Sequence, residues 1–329
     1  MILDNASKLC HGGDVRRAGF SLQAYIFGYL QMGTYNTQMH KGSLRVFYCP
    51  EAAERFQAEN GAAFTIALAR EESLHAARVL RLAVGDEVRL FDGAGYFYDG
   101  KIASLARHET QVRIESRAAS TSDPRARLIL LVALLKGRKA DFLIQKAVEL
   151  GVGEIVFFQA RRSVSQTRAP DKEEEESGQE EEGSGRERWE KIVVSACKQC
   201  GRATLMPVRE LPDLDAALRA LPYTPIRYVF WEALSQDSTE GEPAACSIGA
   251  SVANHEIVAM IGPEGGFTEE EIARVVAAGF RACSLGPRIL RAETAALAAA
   301  AILLHNAGEL GSEKQLTTVF HESSAHPKA

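Results

Sequence analysis

No stretch of this 329-residue sequence reaches the roughly 18 to 20 consecutive apolar residues that a membrane-spanning helix requires. The closest approach, residues 20–33, is broken by Gln23, Gly28 and Gln31. Arg16 and Arg17 precede it, but no small-residue cleavage site follows, so the expectation is a soluble, cytoplasmic protein. Cysteine is sparse: six in a chain this long do not make a disulfide framework. Cys197 and Cys200 form a lone C-x-x-C with no second pair to complete the four ligands of a zinc site, so no metal is expected. No G-x-G-x-x-G follows a predicted strand and no P-loop is present, which removes a nucleotide-dependent oxidoreductase on a dinucleotide fold. Gly93-Ala94-Gly95 fails that spacing and sits in a predicted hairpin. There is no internal repeat. What is present is globular in composition: 46% hydrophobic and 25% charged residues exclude wholesale disorder, and the length is ample for a sizeable core.

The formal charge of −5 conceals a basic chain. Residues 171–182 (DKEEEESGQEEE) carry eight acids against one lysine, so everything else is net +2. Segment 124–170 is net +6 and segment 186–202 net +3. A basic stripe of this kind fits a polyanionic partner, nucleic acid first. From charge alone a solvated helix face is an equal reading.

The chain divides by pattern. Residues 1–42 show no sustained period and read as a loosely ordered extension. Residues 43–122 read as a small β-rich domain: strands at 44–48, 86–91, 96–102 and 110–114, a helix at 71–82, and the turn Asp92-Gly93-Ala94-Gly95. A compact barrel is the natural closure. From 123 to 310 strands alternate with helices, which predicts an α/β domain with a mostly parallel sheet. Its strands are expected at 128–135, 154–158, 226–231, 257–261 and 282–285. Its helices are expected from an Asp141 cap to Leu150, at 188–200, from the Thr268-Glu269-Glu270-Glu271 capping box to Gly279, and at 292–307. Residues 168–185 form an acidic insert and 311–329 a polar tail.

The chemistry concentrates in residues 261–294. Gly262-Pro263-Glu264-Gly265-Gly266 leaves a buried strand and enters a capped helix. Leu285-Gly286-Pro287-Arg288-Ile289-Leu290-Arg291-Ala292-Glu293-Thr294 leaves the next strand and enters another. Such loops expose backbone donors and let a ligand approach closely. Ligands bind open α/β sheets at this edge.

These residues carry a resemblance. GPEGG followed by LGPRILRAET resembles the bacterial small subunit methyltransferase E family, 16S ribosomal RNA uridine-N3 methyltransferases of the SPOUT class. Three further regions match in order: ADFLIQKAVELG at 140–151, RWEKIVVSACKQCGR at 188–202, and His75 to Leu82 with Leu90-Phe91-Asp92-Gly93. The resemblance runs from about residue 44 to 310, leaving out the extension, the insert and the tail. It implies a PUA-like RNA-gripping barrel followed by a SPOUT domain with a deep trefoil knot. It implies S-adenosylmethionine as cofactor, a homodimer, and U1498 of 16S rRNA in the small subunit as substrate.

Uridine N3 holds its proton to about two pKa units above neutrality, so removing it costs about 3 kcal/mol at roughly 1.36 kcal/mol per unit. An arginine suits the developing anion, being always charged and planar. Arg291 is the candidate for that role, with Glu293 as base or, by preference, as a partner orienting Arg291 or a loop amide. Candidate cofactor positions are Glu232, Gly262, Glu264, Gly265, Leu285, Gly286, Ile289, Leu290 and Thr294. Candidate RNA contacts are Lys136, Arg138, Lys139, Lys146, Arg161, Arg162, Gln199, Arg202 and Arg288. Two rival readings stand beside the enzyme: a SPOUT enzyme with another RNA target, and a non-catalytic RNA-binding assembly factor.

Overall fold

The computed structural model describes residues 45–106, 109–163, 185–221, 226–232 and 256–311. The extension, the acidic run 171–182 and the tail beyond residue 311 lie outside the described residues.

The first part is a five-stranded sheet in the order β1-β3-β4-β5-β2. Its strands are β1 (Arg45–Tyr48), β2 (Phe64–Ala67), β3 (Glu87–Phe91), β4 (Tyr96–Leu105) and β5 (Thr110–Ala119). The pairs β3–β4, β4–β5 and β2–β5 are antiparallel. Alternate residues such as Val88, Leu90, Tyr98, Val112 and Ile114 point into one core with Phe47 and Phe64. Register shifts where Asp99-Gly100 faces β5, and a Cβ on Gly100 would stand 2.3 Å from the Arg113 carbonyl oxygen. Only glycine fits that bulge.

Two elements here were not predicted: β2 and the helix α1 (Ala52–Ala58). The expected helix over 71–82 is shorter and irregular. α2 spans Arg70–Leu74 and continues as a π turn over His75–Val79. Buried Ser73 anchors it, donating to the Leu68 carbonyl at 3.1 Å and accepting from Thr110 N–H at 2.9 Å.

The second part is a six-stranded parallel sheet in the order β11-β9-β10-β6-β7-β8. Its strands are β6 (Arg127–Ala133), β7 (Glu154–Phe158), β8 (Val208–Leu211), β9 (Ile226–Phe230), β10 (Glu256–Ile261) and β11 (Arg281–Cys283). Successive residues feed opposite cores. Leu128, Leu130 and Val132 join the face packed by α3 (Lys139–Leu150), α4 (Gly185–Cys200) and α7 (Ala292–Asn306). Ile129, Leu131 and Ala133 join the face packed by α5 (Leu214–Arg219) and α6 (Glu269–Ala277). Burial on both faces explains the unbroken apolar run of β6. Gly151 ends α3 in the left-handed region at φ +92°, and the capping box at Thr268 and Glu271 opens α6 as expected.

Asp141 is not the cap of α3. The N-cap position is Arg138, with no side-chain cap, and Asp141 sits in the first turn paired with Arg188 of α4. β8 and α5 were also not anticipated: VREL is short and half polar, and α5 is six residues long.

The two sheets meet through the Asp92 turn. Gly93 and Ala94 bridge Thr204, and Leu205 N–H donates to the Gly93 carbonyl at 3.0 Å. Asp123 secures the same seam, accepting from Ala203 N–H at 2.9 Å, Thr204 N–H at 3.2 Å and the Thr204 hydroxyl at 2.6 Å. Phe91 and Phe97 join the core of the parallel sheet.

Candidate active site

The exits of β9, β10 and β11 converge at the C-terminal edge of the parallel sheet. They line two adjoining cavities, of about 160 and 450 Å³, which share Phe230, Glu232, Ile289, Leu290 and Ala295. The smaller is walled by Trp231 and the stretch from Ser284 to Leu290. The larger is walled by Ile261 to Glu264, by Arg291 and Ala292, and by Lys139 from α3.

Local chemistry shapes each loop. Gly266 takes φ +69°, and a Cβ there would stand 2.1 Å from Glu232 Oε1, so the β9 exit lies directly on the β10 loop. A Cβ on Gly262 would come within 2.9 Å of the Phe267 ring. The Ser284 hydroxyl accepts from Gly286 N–H at 3.1 Å and donates to the Gly286 carbonyl at 3.3 Å, pinning a turn whose glycine adopts φ +103°. Ile289 stands 77% exposed at the cavity mouth. Arg291 holds the N-cap position of α7 in an extended conformation, its side chain exposed and making no cap.

A charged cluster joins these loops. The Lys139 ammonium pairs with the Glu264 carboxylate and lies 4.0 Å from Glu293 Oε1. Its hydrogen bond holds the Glu264 carboxyl below the usual carboxylate range. Glu293 Oε2 is buried without a hydrogen-bond partner.

Of the cofactor candidates, Glu232, Gly262, Glu264, Leu285, Gly286, Ile289 and Leu290 line these cavities. Gly265 and Thr294 do not. Gly265 lies against Arg162, whose Nη1 donates to its carbonyl at 3.1 Å, and Thr294 is exposed in the first turn of α7. Arg291 lines the larger cavity, whereas Glu293 faces Lys139.

The RNA candidates separate sharply. Lys136, Arg138, Gln199 and Arg288 are exposed. Lys146 pairs with Glu149 at 2.8 Å and Arg161 with Glu270. Lys139 is drawn into the cavity wall rather than held out to solvent. Arg202 departs from the expectation outright. It is 4% exposed and donates to the Val152 carbonyl at 2.6 Å, a position closed to a phosphate. The sequence reading missed the walls Phe230 and Trp231 and the inward turn of Lys139. The signal for the lysine was its place just inside a helix that follows a buried strand, the same edge as the glycine loops. Cys197 packs against the Thr204 carbonyl, and burial pushes its thiol up to about 12, which fits the inert reading of the C-x-x-C pair.

Parallel sheet, convergent glycine loops and basic surface define a class, and the comparisons agree with it: residues 121–304 match the family of the RNA methyltransferase domain and residues 68–115 that of the RNA methyltransferase PUA domain. The chain belongs to the ribosomal RNA small subunit methyltransferase E family. It is 28% identical over 235 residues to the Bacillus subtilis protein of that name, covering 71% of this chain and 87% of the relative. It is 30% identical over 197 residues to the Mesomycoplasma hyopneumoniae protein, covering 60% and 77%. A solved ribosomal RNA small subunit methyltransferase E from Neisseria gonorrhoeae, bound to S-adenosyl methionine, superposes with TM-score 0.63 at 28% identity, covering 80% of this chain and 97% of that one.

Proposed function

We propose that this chain transfers a methyl group from S-adenosylmethionine to N3 of a uridine in 16S rRNA, U1498 in standard bacterial numbering, within the small ribosomal subunit. The observation that carries the reading is the convergence of GPEGG and LGPRILRAET on shared cavities at one sheet edge. The residues fit the cofactor: Leu285, Ile289 and Leu290 give an apolar wall for a planar base, and the Glu232 and Glu264 carboxylates stand at the same cavities to face a cationic sulfonium. When bound, the cofactor supplies an electrophilic methyl on a sulfonium.

The loops at 262–264 and 285–290 would hold that cofactor, with Leu285, Ile289 and Leu290 offering an apolar face to its adenine. As N3 gives up its proton to water at the open cavity mouth, Arg291, exposed there, steadies the negative charge left on the uracil ring. Residues 43–122 act as a PUA-like RNA-gripping barrel and 123–310 as the catalytic domain. A trefoil knot is supported by the strand order, in which β10 inserts between β9 and β6 while β11 lies beyond β9. A homodimer is supported by Phe142 on α3 and Ile302 on α7, large apolar side chains left 48% and 42% exposed on helices that pack together. The protein works in the cytoplasm; among the described residues no helix is long and apolar enough to cross a membrane.

The test is incubation with labelled S-adenosylmethionine and small subunits lacking the modification, followed by mass mapping of the methylated nucleoside. N3-methyluridine at the named position is the expected result. Cofactor binding without transfer points to another RNA target, and no cofactor binding to a non-catalytic RNA-binding factor.

A further inference from the structure

Glu264, Lys139 and Arg291 line the larger cavity, and Glu293 stands behind Lys139 at 4.0 Å. They do not pair symmetrically. Lys139 takes both carboxylates, pairing with Glu264 and standing 4.0 Å from Glu293. Among the described residues no ion pair or hydrogen bond engages the Arg291 guanidinium, although it lies close enough to Glu264 to bias its ionisation. Arg291 and Glu293 are two apart at the start of α7, so they do not share a helix face.

We propose that Lys139 is a positioning residue of the active site: by occupying Glu264 and Glu293 together it ties the β10 loop to α7 and keeps Arg291 unpaired for the substrate anion. The inference deepens the methyltransferase reading and rests on it for the identity of that anion. The physical reason is competition. An arginine fork binds a carboxylate bidentately and prefers it to water. With the lysine gone, Glu264 and Glu293 lose their shared partner; the cations left to act on Glu264 are Lys136 and then Arg291, and of these only Arg291 lines the cavity with it. The reach of Lys139 also fixes the spacing of the cavity walls, since Glu264 belongs to the loop after β10 and Glu293 to the first turn of α7. A lysine that served only as a phosphate contact would be held out to solvent, as Lys136 is.

The test compares the full chain with Lys139→Ala, Lys139→Arg and the double variant Lys139→Ala/Glu264→Gln. Phenylglyoxal reports arginine availability, with modification of the peptide containing Arg291 followed by mass spectrometry. Lys139→Ala is expected to slow modification of Arg291 about fivefold or more, while Lys139→Arg and the double variant restore the rate. Single-turnover methylation at saturating S-adenosylmethionine is expected to fall at least tenfold in Lys139→Ala, with RNA affinity within about threefold and its salt slope unchanged. Arg291 reacting equally in full-length protein and Lys139→Ala overturns the proposal, as does a salt slope flattened by about one unit with the rate intact. The two readings fail separately. Absence of methyl transfer in the unaltered protein, with Arg291 still shielded in Lys139→Ala, defeats the methyltransferase reading and leaves the division of charges standing. Melting curves identify a variant that has merely unfolded, and Lys139→Gln, which keeps a long polar side chain but removes the cation, then carries the comparison and is expected to slow Arg291 modification in the same way.

Discussion

The Glu232 carboxylate occupies the space beside Gly266 where any other residue would place its Cβ, 2.1 Å from Oε1. Two loops from different strands are thereby locked together at the candidate site. Gly266→Ala forces the carboxylate aside and also strains a backbone at φ +69°. The strain costs about 1 to 2 kcal/mol on its own. S-adenosylmethionine affinity, read by titration calorimetry, is expected to fall at least tenfold. Gly286→Ala separates the causes: its φ is +103°, but nothing lies within 4 Å of the added carbon. It should cost similar stability and much less affinity.

A second prediction concerns Glu271, which is 1% exposed and does more than cap. Its carboxylate accepts from Thr268 N–H at 2.9 Å and from Arg161 N–H at 2.9 Å, so it also ties α6 to the loop after β7. Burial opposes its charge, but these amides and the Thr268 hydroxyl hold its pKa below the usual carboxylate value. A carboxyl with a depressed folded pKa stabilises above its unfolded value and loses that contribution as pH falls through the folded one. Glu271→Gln should therefore melt well below the unaltered protein at pH 7, and the gap should close on acidification below about pH 4.5. Thr268→Ala removes only the hydroxyl partner and should cost about 1 kcal/mol.

Much of this was legible in the sequence because its signals were local and strong. The unbroken run LILLVALL reads as a strand buried on both faces, and β6 is one. Thr268 with Glu271 wrote the start of α6. The glycine loops wrote the sheet edge where the cavities lie. The failures share a cause. β8 and α5 are four and six residues long and take their stability from packing on β7, not from their own pattern. The π turn at His75 is set by Ser73 bonding to Thr110, 37 residues away. Arg202 and Lys139 looked like members of one basic stripe. Which of the two faces a carbonyl and which a carboxylate is decided by tertiary packing, and charge counting carries no such information.

The seam between the two sheets should fail at Asp123. Three donors from Ala203 and Thr204 converge on it, and Asp123→Ala leaves two backbone amides without their partner. The expected loss is about 2 to 3 kcal/mol. At about 2 to 4 °C per kcal/mol for a chain of this size, the thermal midpoint should drop by roughly 4 to 12 °C. Asp123→Asn keeps two acceptor positions on one oxygen and should recover part of the loss. Equal midpoints for all three proteins would mean the seam carries no weight.

The last prediction separates the exposed basic residues from the buried one. Lys136 and Arg138 sit exposed on the turn between β6 and α3, and among the described residues neither enters an ion pair. Each is placed to neutralise one phosphate, and each neutralised phosphate contributes about 0.7 to 0.9 to the slope of log affinity against log salt. Lys136→Ala and Arg138→Ala should each flatten that slope by about that amount, leaving cofactor affinity and melting temperature unchanged. Arg202→Ala should do the reverse. It removes a buried donor to the Val152 carbonyl and costs stability, and the salt slope should stay where it was because no phosphate reaches that side chain. A flattened slope in Arg202→Ala, in protein shown to be folded, would restore it to the RNA interface and require the junction around Val152 to open when RNA binds.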